Sequence, residues 1–141
     1  MKIFGIYILL TLAIAACRND KIYDIDFFIT TTQGFAKAVA KNKGADYFDK
    51  IASPDCFFLS KSGEIQDYKK LKEWYKTDTT SYEFVNTFSH KVIRQSNLVY
   101  SIYSESVKKK DQPLIDTNRY IEIYSFIKKE WKLSVLIALA P

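Results

Sequence analysis

One histidine, two cysteines, four glycines and three prolines are all that this chain of 141 residues holds of the residue types that build metal sites, disulfide frameworks and phosphate loops. His90 stands alone, with no HxH or HxxxH spacing around it, so a zinc site would have to be completed by carboxylates and no metal is expected. A glycine-rich phosphate loop is absent, as is any Ser-His-Asp or Cys-His motif in a recognisable local context, and no cofactor is expected. The charge balance is only mildly basic, 21 basic against 16 acidic residues and a net +5. The excess lies in short runs such as Lys108-Lys109-Lys110 and Lys128-Lys129, at predicted turns, where lysines are ordinarily solvated. Nucleic acid is therefore not an expected partner.

No apolar run is long enough to span a membrane. The longest, Ile3 to Ala16, is broken only by Gly5 and Thr11. At about 1.5 Å per residue it would cover roughly 21 Å of a hydrocarbon core about 30 Å thick. Lys2 precedes the run, and Cys17 with the polar Arg18-Asn19-Asp20 follows it, the order of a charged, an apolar and a small-residue cleavage region. Ile14-Ala15-Ala16-Cys17 resembles the lipobox of bacterial lipoprotein precursors. That resemblance implies removal of residues 1–16, a thioether-linked lipid on Cys17 and acylation of the new amino terminus. Several acyl chains, at about 0.8 kcal/mol per buried methylene, would hold the chain to a membrane firmly. Arg18 after the cysteine points to the outer membrane of the cell envelope by the family's sorting habit.

If Cys17 is lipidated, Cys56 has no disulfide partner within the chain. In the apolar run Cys56-Phe57-Phe58-Leu59 it reads as a small buried hydrophobe rather than a reactive thiol. The chain behind the leader has single-domain length. Residues 17–25 read as a lipidated tether, and residues 26–141 as the domain.

Within the domain, Phe28, Thr31, Phe35 and Val39 recur at helical spacing, predicting a helix to about Lys43 with Gly44 as terminator. A short second helix holds Tyr47, Phe48 and Ile51 and stops at Pro54. Cys56 to Leu59 reads as a strand, and Asp67 as the N-cap of a helix presenting Tyr68, Leu71, Trp74 and Tyr75. Four long strands follow: 82–94, 98–108, 118–127 and 131–138. Tyr82, Phe84, Phe88 and Val92 alternate with polar residues in the first of them. Helices first, then strands joined by short polar turns, predict an α+β domain with N-terminal helices on a curved antiparallel sheet.

This order of parts resembles the nuclear transport factor 2-like fold, and within it the SnoaL-like domains. The stretch from Ser53 to Ile65, with the helix Tyr68 to Trp74, is similar to that branch's aspartate, apolar strand, glycine turn and amphipathic helix. The ending from Tyr120 to Tyr124 and from Lys129 to Leu133 is similar to its penultimate hairpin, although Glu130 stands where a glycine is usual. The resemblance implies a cone whose sheet and helices enclose a pocket. Its isomerase members use an aspartate base with an acid and a tyrosine, and the acid's place falls near Ile121. Its epoxide hydrolase members use an Asp-Arg-Asp set, for which Arg119 is a candidate, but Ile121 again takes the place of the acid. Asp116, three residues from Arg119, falls on the opposite strand face.

By strand parity Phe84, Asn86, Phe88 and His90 are candidate pocket-lining residues, with Arg119 beside them. His90 alternatively lies at the strand end, paired and inert, and Asn86 needs a partner from protein or ligand. If Ile121 and Ile123 face the cone, Tyr120, Glu122, Tyr124 and Phe126 point outward, a candidate face for a homodimer or for a covering loop. With no acid and base facing each other, the reading favoured here is a membrane-anchored module. It binds a small apolar ligand or a protein partner without catalysis. The rival reading is a SnoaL-like isomerase or hydrolase of polyketide- or steroid-like molecules.

Overall fold

The computed structural model describes residues 24–140. The predicted leader, Cys17 and most of the predicted tether lie outside the described residues. Helix α1 (Ile25–Ala40) opens on Asp24, whose carboxylate accepts from the Asp26 N–H at 2.9 Å. Phe28, Thr31, Thr32, Phe35 and Ala36 form its buried stripe, close to the predicted one. It ends earlier than expected and without glycine. Asn42 takes the left-handed conformation at φ 55°. The N–H groups of Asn42 and Lys43 donate to the carbonyls of Val39 and Ala38 at 3.0 and 2.8 Å, the paired bonds of a Schellman cap. Gly44, the expected terminator, instead opens α2 (Gly44–Ile51). A Cβ there would stand 3.1 Å from both Val39 and Tyr75, so its smallness serves close packing.

Strand β1 (Ala52–Leu59) starts earlier than predicted and runs through Pro54. Its register shifts between Ala52 and Phe57, the kind of irregularity where a residue lacking an N–H is tolerated. A short β2 (Ile65–Asp67) turns back along it. Asp67 then caps α3 (Tyr68–Thr77) as predicted, Oδ1 accepting from the Lys70 N–H at 2.9 Å. The remaining strands, β3 (Tyr82–Gln95), β4 (Leu98–Lys109), β5 (Ile115–Ile127) and β6 (Glu130–Leu139), form a meander.

The strands make one six-stranded sheet in the order β2-β1-β6-β5-β4-β3. All pairs are antiparallel except β1 with β6, which is parallel. The whole meander separates those two in sequence, so no hairpin dictates their direction, and the sheet is mixed where a wholly antiparallel one was predicted. The β5–β6 turn, left open by Glu130, is a two-residue loop with Lys128 and Lys129 at φ 49° and 71°. Both residues thus occupy the conformation that such hairpins usually give to asparagine and glycine.

The helices lie on the concave side, and the sheet curls toward them without closing. Phe28 sits at the closed end, edge-on to Tyr124 at 5.1 Å and to Trp131 at 5.5 Å. Phe48, Cys56, Leu71, Val99 and Leu133 complete this core. Burial pushes the Cys56 thiol up to about 12, the inert behaviour expected of it.

Candidate functional site

The two-residue turn Ser96-Asn97 sets Gln95 against Leu98, and the β4–β5 pairing then places Tyr103 opposite Tyr120, Glu105 opposite Asn118 and Val107 opposite Asp116. Directly opposed residues share a sheet face. These six face the concave side and line a cavity of about 440 Å³. Thr32 and Phe35 of α1, Leu71, Trp74 and Tyr75 of α3, Phe58 of β1 and Tyr82 and Val85 of β3 close its other walls. Its size falls in the range of small-molecule sites.

This arrangement reverses the predicted facing of β5. Tyr120 lines the cavity, while Glu122 and Tyr124 are buried at 0% and 1% exposure beneath α1, and Phe126 packs on Trp131 at 5.1 Å. The stripe expected to form a dimer face is therefore the inner one. Ile121 and Ile123 lie on the convex side. The prediction put the more apolar residues inward, but tyrosine and glutamate can occupy a concave face where their polar atoms satisfy one another.

The candidates on β3 are likewise displaced. Bulges interrupt its pairing between Tyr82 and Phe84 and between Phe88 and Lys91, the second at Ser89 with φ 55°. Each added residue inverts the alternation. Tyr82 and Val85 consequently face the cavity, whereas Phe84, Asn86 and Phe88 lie on the convex side. Arg119, between the inward Asn118 and Tyr120, points outward and is exposed. The second bulge turns His90 inward, where its ring stacks on Tyr103 at 5.7 Å and Nε2 meets the Thr87 hydroxyl at 3.0 Å. It packs behind the cavity wall rather than lining it. Its Nδ1 is buried without a partner, and burial lowers its pKa, favouring the neutral ring.

Two carboxyl groups define the chemistry of the interior. Glu122 accepts from the hydroxyls of Thr32, Tyr124 and Tyr103 at 2.7, 2.8 and 3.1 Å. Burial raises its pKa, partly offset by these three donors. The Thr32 hydroxyl also reaches the Phe28 carbonyl at 3.0 Å, and it has one proton for two acceptors. The Thr32 proton is therefore shared between the Glu122 carboxyl and the Phe28 carbonyl. The cluster ties α1 to β4 and β5.

Glu105 is different, because it faces open space. Burial, and then the charge of Glu122, push its carboxyl up to about 7, against a smaller lowering by the Asn118 side chain. The Asn118 Oδ1 in turn accepts from Lys61 Nζ at 2.8 Å. Tyr120, across from Tyr103, is held well above the usual tyrosine range by burial and by Glu105. Tyr82 is raised to about 12 by burial and by its hydrogen bond to Asp78 at 2.8 Å. A carboxyl titrating near neutrality among tyrosines can bind a donor or cation, or exchange a proton. Among the described residues no group of His, Cys, Asp and Glu is arranged to hold a metal ion.

Glu105, Tyr103 and Asn118 were not singled out from sequence. The usable signal was the odd-numbered alternation Val99, Ser101, Tyr103, Glu105, Val107 on β4. Joined to the two-residue turn before it, that series fixes which face each strand shows.

No family model and no curated protein matches the chain. Solved structures do. A nuclear transport factor 2-like protein from Cytophaga hutchinsonii superposes with a TM-score of 0.73 at 16% identity, covering 85% of this chain and 100% of the other. A protein of the same type and of unknown function from Shewanella oneidensis gives 0.67 at 11% identity, covering 82% and 98%. One from Rhodospirillum rubrum, described as of unknown function in nutrient uptake, gives 0.65 at 14%, covering 84% and 99%. The chain thus has the nuclear transport factor 2-like fold, a cone of helices on a curved, unclosed mixed sheet.

Proposed function

We propose that this protein is a membrane-tethered binding module whose cone takes up a small, largely apolar molecule with one polar group. The observation that carries this reading is the 440 Å³ cavity, walled mainly by apolar and aromatic side chains around the largely buried carboxyl of Glu105. Few polar groups set in an apolar wall are the usual composition of a small-molecule site. Native mass spectrometry of the full chain released from membranes tests it. A defined extra mass lost on Glu105→Gln or Leu71→Trp substitution is the expected result, and a persistently empty chain would sink the reading.

Attachment through lipid on Cys17, at the cell envelope and toward its outer membrane, belongs to the same proposal and is supported by Ile14-Ala15-Ala16-Cys17. Cys17→Ser is expected to abolish incorporation of labelled palmitate and release the chain from the membrane fraction. The convex sheet face supports a homodimer. Phe57, Phe88 and Ile93 are each about two-fifths exposed there, flanking the half-buried Ile121, Ile123 and Val135. Such a contiguous apolar surface favours a covering partner, here a second copy.

One observation favours a second reading, an isomerase- or hydrolase-type activity. Glu105, at about 7, is poised as a general base with the Tyr120 hydroxyl lining the same cavity as a hydrogen-bond donor. A benzisoxazole that eliminates on proton removal is a neutral probe of such a base. Turnover rising through pH 7 and lost in Glu105→Gln supports catalysis, and turnover no faster than in buffer removes this reading.

A further inference from the structure

We infer that the polar group recognised in the cone is an organic cation, such as a quaternary or protonated amine, held between the Glu105 carboxylate and the surrounding aromatic rings. This inference rests on the ligand-binding reading and narrows it. The cavity's charge is opposite to that of the chain as a whole. The chain is net positive, yet Glu105 and Asp116 both face the cavity from neighbouring strands. Among the described residues lining it, Lys109 is the one cation, and it acts on Asp78 beside the rim, which its charge helps keep ionised. Lys61 engages Asn118 from the exposed side and is not part of the lining. That leaves Glu105 within the cavity and Asp116, exposed at its rim, against the single lining cation.

The walls suit the same guest. Phe35, Trp74, Tyr75, Tyr82, Tyr103 and Tyr120 all line the cavity. Aromatic faces attract alkylammonium ions, the more so where water is excluded, and a nearby carboxylate adds to that attraction. An anionic guest would meet two carboxyls, and a purely apolar one would leave Glu105 without an opposite charge. Burial of Glu105 favours its neutral form in the empty cone, so a cation must ionise it on entering. The groups facing Glu105 are Asn118, Asp116 and Tyr120 of β5, Tyr82 of β3, Lys109 of β4 and Tyr75 of α3, with Glu122 deeper in. Of these, Asp116 and Lys109 are of opposite sign. Cation affinity should therefore follow Glu105, rising about tenfold from pH 6 to pH 8 and levelling above it.

Choline and its uncharged carbon isostere, 3,3-dimethylbutan-1-ol, form the test pair. Each is titrated at constant ionic strength into vesicles bearing the full chain, read through the fluorescence of Trp74 at the cavity, with Trp74→Phe as the control for Trp131. The expected result is half-saturation by choline at a concentration at least tenfold lower than by the alcohol, a difference that grows with pH and disappears in Glu105→Gln. Equal response to both probes would overturn cation selectivity while leaving a ligand-binding cone. A preference that survives Glu105→Gln would overturn the assignment to that residue. If neither probe moves the signal, the cation proposal falls, and the mass measurement above decides separately whether the cone binds anything.

Discussion

The concave and convex faces of one sheet are built from the same strands yet obey opposite rules. On β5 the inward residues are Asp116, Asn118, Tyr120, Glu122 and Tyr124, and the outward ones include Ile121 and Ile123. The inner pair Glu122 and Tyr124 is the more deeply enclosed, while Ile121 and Ile123 are half-buried and Asp116, at the open end, is exposed. That inner pair tolerates this because its members satisfy each other, whereas isoleucines on the outer face need only a partner surface or partial cover. The lesson is that in a cone the hydrophobic face of a strand need not be the inner one.

The strongest way to break the comparison is at Glu122. Glu122→Leu leaves the hydroxyls of Thr32, Tyr103 and Tyr124 without their shared acceptor and should cost about 3 kcal/mol or more in urea unfolding. Glu122→Gln keeps an acceptor for the tyrosines and a donor for Thr32, and should cost less than about 1 kcal/mol. Equal losses in the two variants would show that volume rather than hydrogen bonding holds the interior.

Glu105 gives the next largest effect. Its folded pKa of about 7 lies above the ordinary carboxyl value of 4.5. A raised carboxyl contributes stability fully below the ordinary value and loses that contribution as pH rises from about 4.5 to 7. Glu105→Gln should therefore be more stable than the parent at pH 8, by on the order of 2 kcal/mol once partial solvent access is allowed for, and indistinguishable from it at pH 4. Thermal unfolding across that range measures it, and an unchanged pH profile would place Glu105 in solvent.

The β5–β6 turn concerns neither face and so calibrates both. Lys128→Asn with Lys129→Gly should raise stability by about 1 kcal/mol, because the new pair prefers the positive φ that both lysines now adopt. A loss would mean that the lysine side chains hold the turn by other contacts. The smallest effect is predicted on the convex face. Ile121→Lys with Ile123→Glu should change unfolding of the isolated protomer by less than about 0.5 kcal/mol while abolishing the proposed dimer in sedimentation velocity. A comparable loss of protomer stability would assign these side chains to a core.

Much of the fold was legible from the start. The caps at Asp67, the stripe Phe28, Thr31, Phe35, and the four long strands all follow from local spacing and local hydrogen bonding, and each appears within a few residues of its expected bounds. The site was less legible. Phe84, Asn86, Phe88 and His90 were assigned by continuous alternation, and two bulges on β3 break that alternation. Glu105 passed unnoticed because a lone glutamate among Ser104, Ser106 and Val107 looks like any solvated strand residue until the strand is curled over a cavity.

The sequence by itself determined the elements, their order and the α+β class, since those depend on periodicity and turn chemistry that act over a few residues. Only the tertiary structure decided which face of the sheet is inside, that β1 runs parallel to β6, and that Glu105 meets Asn118, Tyr120 and Tyr82 around one space. Those outcomes depend on bulges, register and curvature summed over distant strands, and a carboxyl near pH 7 exists here only because that assembly removes it from water.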